Sequence, residues 1–266
     1  MGFVSDELLP GEVVAIDGKT LRRSHDQVES KRAIHMVSAW SSSNALVLGQ
    51  YKTEEKSNEI TAIPKLLEML CLEGSLVTID AMGCQKAIAE SILQKGADYL
   101  LAVKENQPKL SEAIDRLFFD SDDEVFADCF SDYAENTTKD HGREERRRCW
   151  VCYDLSTLQE CAVLWQGLKA LVVIESHRTV GNQTTLEHRL YISSNRQSAA
   201  YFLKATRDHW HVENKLHWVL VSPFAKMSRG YAKAMGAENF SVLRRIALNL
   251  LKKEKTEKTG IENKRD

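Results

Sequence analysis

Two short apolar runs in this chain end alike. "VVAI" leads into Asp17 and Gly18, and "LVTI" leads into Asp80 and Ala81, with Gly83 close behind. A single Asp at such a place is ordinarily a turn residue that bonds its own backbone. A matched pair beside small residues, which let a ligand come close, has a second use. Two carboxylates at neighbouring strand ends, with one more from a helix, suit a pair of Mg²⁺ ions. Hard cations take oxygen ligands and keep water and substrate phosphate in their remaining positions. Two such ions about 3.5–4 Å apart stabilise the attacking and leaving oxygens of an in-line phosphoryl displacement. The third carboxylate is expected in "HWHVENKLHW", where Glu213 lies four residues after His209 and four before His217. On one helix those three share a face, with Leu216 and Leu220 alongside. The plain alternative is an amphipathic helix with Trp210 and Trp218 in the core, and the two readings are compatible. The spacing is not the H-E-x-x-H of a zinc helix, so zinc ranks low.

The elements that must position these acids follow from hydrophobic period. Residues 12–18 read as a β-branched strand, and 33–41 and 45–53 as two more in an antiparallel meander. Residues 57–74 read as a helix with a Ser cap that stops at Gly74. Then come an apolar strand ending in an acid (75–83), a helix (84–97), a strand (98–106) and a helix opened by Pro108. Residues 120–147 read as a long polar loop, followed by further strands up to residue 193. The remainder reads as two helices, "QSAAYFLKATRDHWHVENKLHWV" and "AENFSVLRRIALNLLKK".

This is the element order of an RNase H-like α/β fold, a mixed sheet flanked by helices, in which the first and fourth strands lie side by side. Asp17 and Asp80 would then face each other. Residues 1–119 and 196–252 are expected to form the RNase H-like catalytic core. Residues 120–195 would be an acidic loop plus a β-rich insertion before the last catalytic helix. Residues 253–266 read as a charged, disordered tail.

Composition narrows the setting. The chain has 266 residues with 43% hydrophobic and 28% charged content, that of a globular protein with a sizeable core. No apolar run reaches the length of a membrane span, and the start lacks a basic-then-apolar signal, so a cytoplasmic location is expected. Asp6 stands where a myristoylation motif needs Ser or Thr. The net charge of −2 gives no bulk attraction to nucleic acid. Base is clustered nonetheless, at Lys19, Arg22 and Arg23, in "GREERRR", and at Arg244, Arg245, Lys252 and Lys253; such clusters are usually solvated faces. Of six cysteines only Cys149 and Cys152 have metal-like spacing, and no second pair follows, so buried reduced thiols are expected.

With these residues in place, the chain resembles the bacterial H-repeat-associated proteins, a family of DDE insertion-sequence transposases. The resemblance runs in order from "AIDGKTLRRS" through "EKSNEITAIPKLLEML", "TIDAMGCQKAIAE", "DYLLAVKENQ", "HGREERR" and "YISS" to "HWHVENKLHW" and "AENFSVLRRIALNLL". It implies an RNase H-like fold with a β-rich insertion, and it matches Asp17, Asp80 and Glu213 to the family's three acids and metal ligands. Two Mg²⁺ or Mn²⁺ ions are the implied cofactors. The implied partners are double-stranded DNA, as element terminal repeats and as target, and a second copy in a homodimer, with no membrane. Cleavage by metal-activated water would free a 3′-hydroxyl that attacks target DNA. Lys19, Arg22 and Arg23, and Lys104, Asn106 and Gln107, stand where phosphate contacts should fall. The Tyr-Arg-Glu-Lys signature of related transposases is absent around Glu213, with Thr206 and His209 in its upstream places; Arg207 and Lys215 are the candidate substitutes, and His209 and Asn214 are further expected DNA contacts. The alternatives are an inert remnant that at most binds DNA, and an RNase H-like nuclease with a host role.

Members of that family continue on both sides of the region matched here, so the resemblance implies a truncated member. They also carry a pattern like L-D-V-x-F-x-E-D-x-S-R-I-R-x-G-N after "LHW". Here residues 219–237 hold no acid at all. Reading residues 221–236 with each triplet shifted by one base permits V-S-F-R-E-D-E-S-R-I-R-K-G-N-G, which restores the pattern. One base lost after Leu220 and one regained near Gly236 would account for the segment. Sequencing the coding DNA checks this: codons 221–236 should spell the family pattern in the shifted frame, and a single mismatch with those products removes the explanation.

Overall fold

The structure is a computed structural model that describes residues 8–20, 34–53, 58–119, 130–140, 142–158, 160–217 and 237–254. The altered segment at 221–236, and Arg22 and Arg23, lie outside those residues. The chain forms two compact units, residues 1–75 with 208–266, and residues 76–207.

The first unit is built on three antiparallel strands in the order β3-β2-β1: β1 (Val13–Thr20), β2 (His35–Ser41) and β3 (Leu46–Lys52). Helix α1 (Glu59–Glu68) follows, and the unit is completed by a π-helical turn, Val212–His217, and the last helix, Ala237–Lys253. Ala15, Trp40 and Val47 from the strands pack with Val212 and Leu216 of the π turn and Leu248 of the last helix. Each large side chain so buried contributes roughly 1.5–3 kcal/mol. Two buried polar side chains, Asn249 and Glu12, are partnered to the strands and their turn. Asn249 acts as one more strand residue, its Oδ1 accepting the Val47 N–H at 3.0 Å and its Nδ2 donating to the Val47 carbonyl at 2.9 Å. The buried Glu12 carboxylate accepts from the Ser41 hydroxyl, the Asn44 amide and the Leu9 N–H, which fixes the start of β1 to the β2–β3 turn.

The second unit is a six-stranded mixed sheet in the order β4-β5-β9-β8-β7-β6. Strands β4 (Leu76–Ile79) and β5 (Asp98–Val103) are parallel, joined by the crossover helix α2 (Lys86–Gln94) that parallel pairing requires. Helix α3 (Pro108–Phe119) follows, then β6 (Asp132–Asp140), β7 (Arg143–Cys152), a short helix α4 (Glu160–Val163), β8 (Ala170–Val180), β9 (Gln183–Ser193) and α5 (Ala199–His209). Strands β6 to β9 pair antiparallel in sequence. Arg147 is buried in β7 and donates to the Leu203 carbonyl (3.0 Å) and the Thr206 hydroxyl (2.9 Å), which ties the sheet to α5. Burial pushes the Arg147 pKa below its ordinary value. The last helix of the first unit, Ala237–Lys253, is α6. Among the described residues no helix is long and apolar enough to cross a membrane.

Three sequence expectations change. Residues 132–140 are a strand, not part of a polar loop. Both faces of β6 are largely exposed, so it carries no apolar alternation; cross-strand ion pairs such as Arg146–Glu135 (2.7 Å) and Lys139–Glu144 (3.0 Å) mark it instead. The α-helix expected through residue 219 keeps α geometry only to His209, and Glu213 stands in a π-helical turn of wider period, so His209, Glu213 and His217 are not on one regular α-helix. The turn is set by Val212 and Leu216, which are both buried in the core beside Ala15 and Trp40. The cap of α1 is Asn58, with no side-chain bond. Cys84, Cys149 and Cys152 are buried free thiols, whereas Cys71 is exposed and Cys161 intermediate.

Lys252 on α6 places its ammonium 4.0 Å over the Trp40 ring and donates to the Lys215 carbonyl at 3.3 Å. Burial, with the Lys215 charge adding to it, pushes its pKa down to about 8. Between about pH 8 and the ordinary lysine value of about 10.4 the unfolded chain therefore binds more protons than the folded one, and this group's contribution to stability rises with pH. Denaturant titrations at pH 7.5 and 9.5 should show that rise in the wild type and a smaller one in Lys252→Met; equal slopes would contradict the assignment.

Candidate active site

Strand β1 does not end at Asp17. Gly18, Lys19 and Thr20 continue it, opposite Val37, Met36 and His35, so Asp17 is a mid-strand residue and not a turn former. Alternation puts Ala15, Asp17 and Lys19 on one face. Ala15 packs against Val212 and Leu216, so Asp17 occupies the face of β1 that meets the π turn carrying Glu213. Asp17 is half-buried and Glu213 exposed. The π turn is tethered at its approach by the Ser42 hydroxyl, which donates to the Asp208 carbonyl at 3.0 Å. Asn214 and Lys215 are exposed on the turn, and His209 lies against Trp210, ring centroids 6.2 Å apart.

Ser38 stands directly opposite Asp17. Its hydroxyl accepts from Nη2 of Arg245 at 3.0 Å, while Nη1 donates to the Ser241 carbonyl (3.3 Å) and hydroxyl. Arg245 is 1% exposed, and burial, with repulsion from Arg244, brings its pKa down to about 10. Composition placed Arg245 on a solvated basic face; the structure buries it. The signal was present in the period, since Ser241, Arg245, Leu248 and Asn249 are all buried at helical spacing on α6.

The other face of β1 carries a cluster that sequence reasoning missed. His35 Nε2 lies 2.6 Å from Glu59 Oε1, and Nδ1 lies 3.0 Å from the Thr20 hydroxyl. Gly18 admits this pair: a Cβ there would overlap both Glu59 Oε1 and His35 Nε2. The glycine beside Asp17 thus has a packing cause, which its sequence neighbourhood alone could not reveal.

In the second unit Asp80 follows β4 and caps a short 3₁₀ turn, Ala81–Gly83, with Oδ1 accepting the Gly83 N–H at 3.4 Å. Here the turn role does hold. The Asn106 amide donates to the Ala81 carbonyl, and the Gln107 amide donates to the Cys84 carbonyl at 2.8 Å. Lys104 is exposed at the end of β5. Arg207 donates to Glu145 Oε2 (3.0 Å) and the Thr138 hydroxyl (3.3 Å) on the β6–β7 hairpin. Among the described residues no three His, Cys, Asp or Glu side chains gather into a metal-holding group. The three acids offer oxygen donors only, a set suited to Mg²⁺ or Mn²⁺.

Residues 9–250 match the family described as the Transposase DDE domain, and the chain belongs to the DDE transposases. It is 46% identical over 261 residues to the "H repeat-associated putative transposase YhhI" of Escherichia coli (strain K12), covering 95% of this chain and 67% of that protein. YbfL of the same strain gives the same identity and coverage, and YncI of Escherichia coli O157:H7 is 45% identical over 97% of this chain and 66% of its own length. The chain thus spans about two thirds of these relatives. A piggyBac transposase synaptic complex with hairpin DNA, solved by cryo-EM, overlays with a TM-score of 0.49 at 10% identity over 96% of this chain and 51% of that one, a likeness too slight to carry weight.

Gly18→Ala should lower stability by about 1–3 kcal/mol, the usual cost of forcing a group into packed space. Glu59→Ala in the same chain should recover part of that loss, because it removes the atom the methyl meets. Chemical denaturation of the two singles and the double checks this; strict additivity would refute the overlap.

Proposed function

We propose that the chain carries the catalytic part of a transposase that cuts and joins DNA, with Asp17, Asp80 and Glu213 as its carboxylates. The observation that carries the reading is the placement of Asp17 on the β1 face that packs against the Glu213 turn, within one compact unit. Membership in the DDE family supports it. Asp17, Asp80 and Glu213 would hold two divalent ions, which when bound supply charge neutralisation at the scissile phosphate and lower the pKa of bound water. The chain's own residues do the rest. Sheet pairing holds Asp17, the 3₁₀ turn holds Asp80, and buried Val212 and Leu216 hold the turn that presents Glu213.

Double-stranded DNA, as element ends and as target, is the proposed substrate, and a homodimer the proposed assembly. Exposed Lys104, Asn214 and Lys215 are proposed to meet phosphate, with Lys19, Arg22, Arg23 and His209 beside the acids in sequence. Arg207 is proposed to do so from its place on the β6–β7 hairpin, where it also holds Glu145.

Incubation of the protein with DNA bearing the element's terminal repeats should give strand nicking with Mg²⁺ or Mn²⁺, and none with Asp80→Asn. DNA binding that weakens steeply with salt, without cleavage in the wild type, would instead identify an inert remnant.

A further inference from the structure

The loop that carries Asp80 is built on a single short turn. A 3₁₀ turn of three residues makes few and poorly aligned hydrogen bonds. Here Cys84 N–H donates to the Ala81 carbonyl at 3.1 Å, Gln85 N–H to the Gly83 carbonyl at 2.9 Å, and Gly83 N–H to Asp80 itself. Among the described residues, two bonds to its backbone carbonyls come from side chains outside the turn. Both are made by adjacent side chains at the exit of the neighbouring strand, Asn106 to the Ala81 carbonyl and Gln107 to the Cys84 carbonyl.

That exit is itself well anchored. Strands β4 and β5 are paired up to Ile79 and Leu101, the residue before Asp80 and the one two before Val103. The Gln107 N–H closes the exit turn on the Lys104 carbonyl at 2.9 Å, and α3 begins at the next residue, Pro108. The amides therefore project from a short segment fixed at both ends, and they grip the turn at its first residue and just past its last.

We propose that Asn106 and Gln107 are positioning residues that hold the Asp80 carboxylate through the turn behind it, and that their side-chain amides are not DNA phosphate contacts. This rests on the reading of Asp80 as a cleavage carboxylate. The residue types fit the task. An amide donates a directed bond to a carbonyl and brings no charge, so it braces the turn without competing for the acid as Lys or Arg would. Small displacements matter at such a site, where a shift of about 1 Å can cost about 10²-fold in rate.

The test uses Asn106→Ala, Gln107→Ala and the double variant in the full chain. Steady-state nicking of terminal-repeat DNA should show kcat lower by about 10–100-fold in each single variant, with KM for DNA within about twofold of wild type. A raised KM at unchanged kcat would mean direct phosphate contact and would overturn the proposal. Hydrogen exchange gives a readout independent of cleavage. The Gly83 and Cys84 amides should exchange at least about tenfold faster in the double variant, while the Leu100 and Leu101 amides in β5 stay as in wild type. Unchanged exchange at Gly83 and Cys84 overturns the clamp whatever the kinetics. If the wild-type chain cuts no DNA, the transposase reading fails on that result alone, and the exchange rates still decide whether the two amides hold the turn.

Discussion

Everything in the first unit depends on the two-residue period of β1. Successive side chains of a strand point to opposite faces, so one eight-residue segment serves two neighbourhoods at once. Ala15 and Asp17 look toward the π turn and the buried core, and Gly18 and Thr20 look toward His35 and Glu59. A one-residue slip would exchange the two sets, burying Thr20's face against Val212 and Leu216 and turning Asp17 toward α1. The register is held where it matters. Asn249 pairs with Val47, Glu12 gathers the β2–β3 turn, and Arg245 reaches Ser38 across from Asp17.

Polar groups rather than apolar ones give this architecture its exactness of position. Apolar burial is non-directional and would tolerate α6 rotating or sliding on the strands. Buried Arg245 and Asn249 do not tolerate it, because each would leave donors without acceptors in a dry interior, at about 1–3 kcal/mol per group, and buried Arg147 fixes α5 on its own sheet in the same way. The same logic operates at the Asp80 turn, where neutral amides meet backbone carbonyls. Around Glu175 the acceptor is a carboxylate: His177, His188 and Arg148 converge on it at 2.8, 3.0 and 3.1 Å, and although burial pushes its pKa up, these bonds outweigh that and leave it below the ordinary value.

Legibility in the sequence tracked how local the cause was. The strands through "VVAI", "LVTI" and "DYLLAV" were readable because a short unbroken apolar run is itself the mark of a buried strand, whatever partner it pairs with. The α6 helix was readable from its period. The β6 strand was not, because it is a solvated edge whose stability comes from pairing with β7 and from Glu135–Arg146, neither of which leaves a mark in a window of β6 alone. The break between His209 and Val212 was hidden for the converse reason: the local residues favour a helix, and the contacts of Val212 and Leu216 with Ala15 and Trp40, some 170 to 200 residues distant, override them.

By itself the sequence determined the family and most of the order of elements, and it supplied the three acids proposed for the site, since residue types and spacings are enough to nominate them. Tertiary structure alone decided their circumstances. Asp17 is held in a paired strand while Asp80 caps a turn, although the two look alike in sequence, because β1 finds a partner beyond its acid and β4 stops at Ile79. Gly18 leaves room for a His–Glu pair brought in from β2 and α1. Arg245 is a core residue because Ser38 and Ser241 offer it oxygens from two different elements. Each of these is a relation between residues far apart in the chain, and such relations exist only once the backbone has brought their partners within hydrogen-bonding distance.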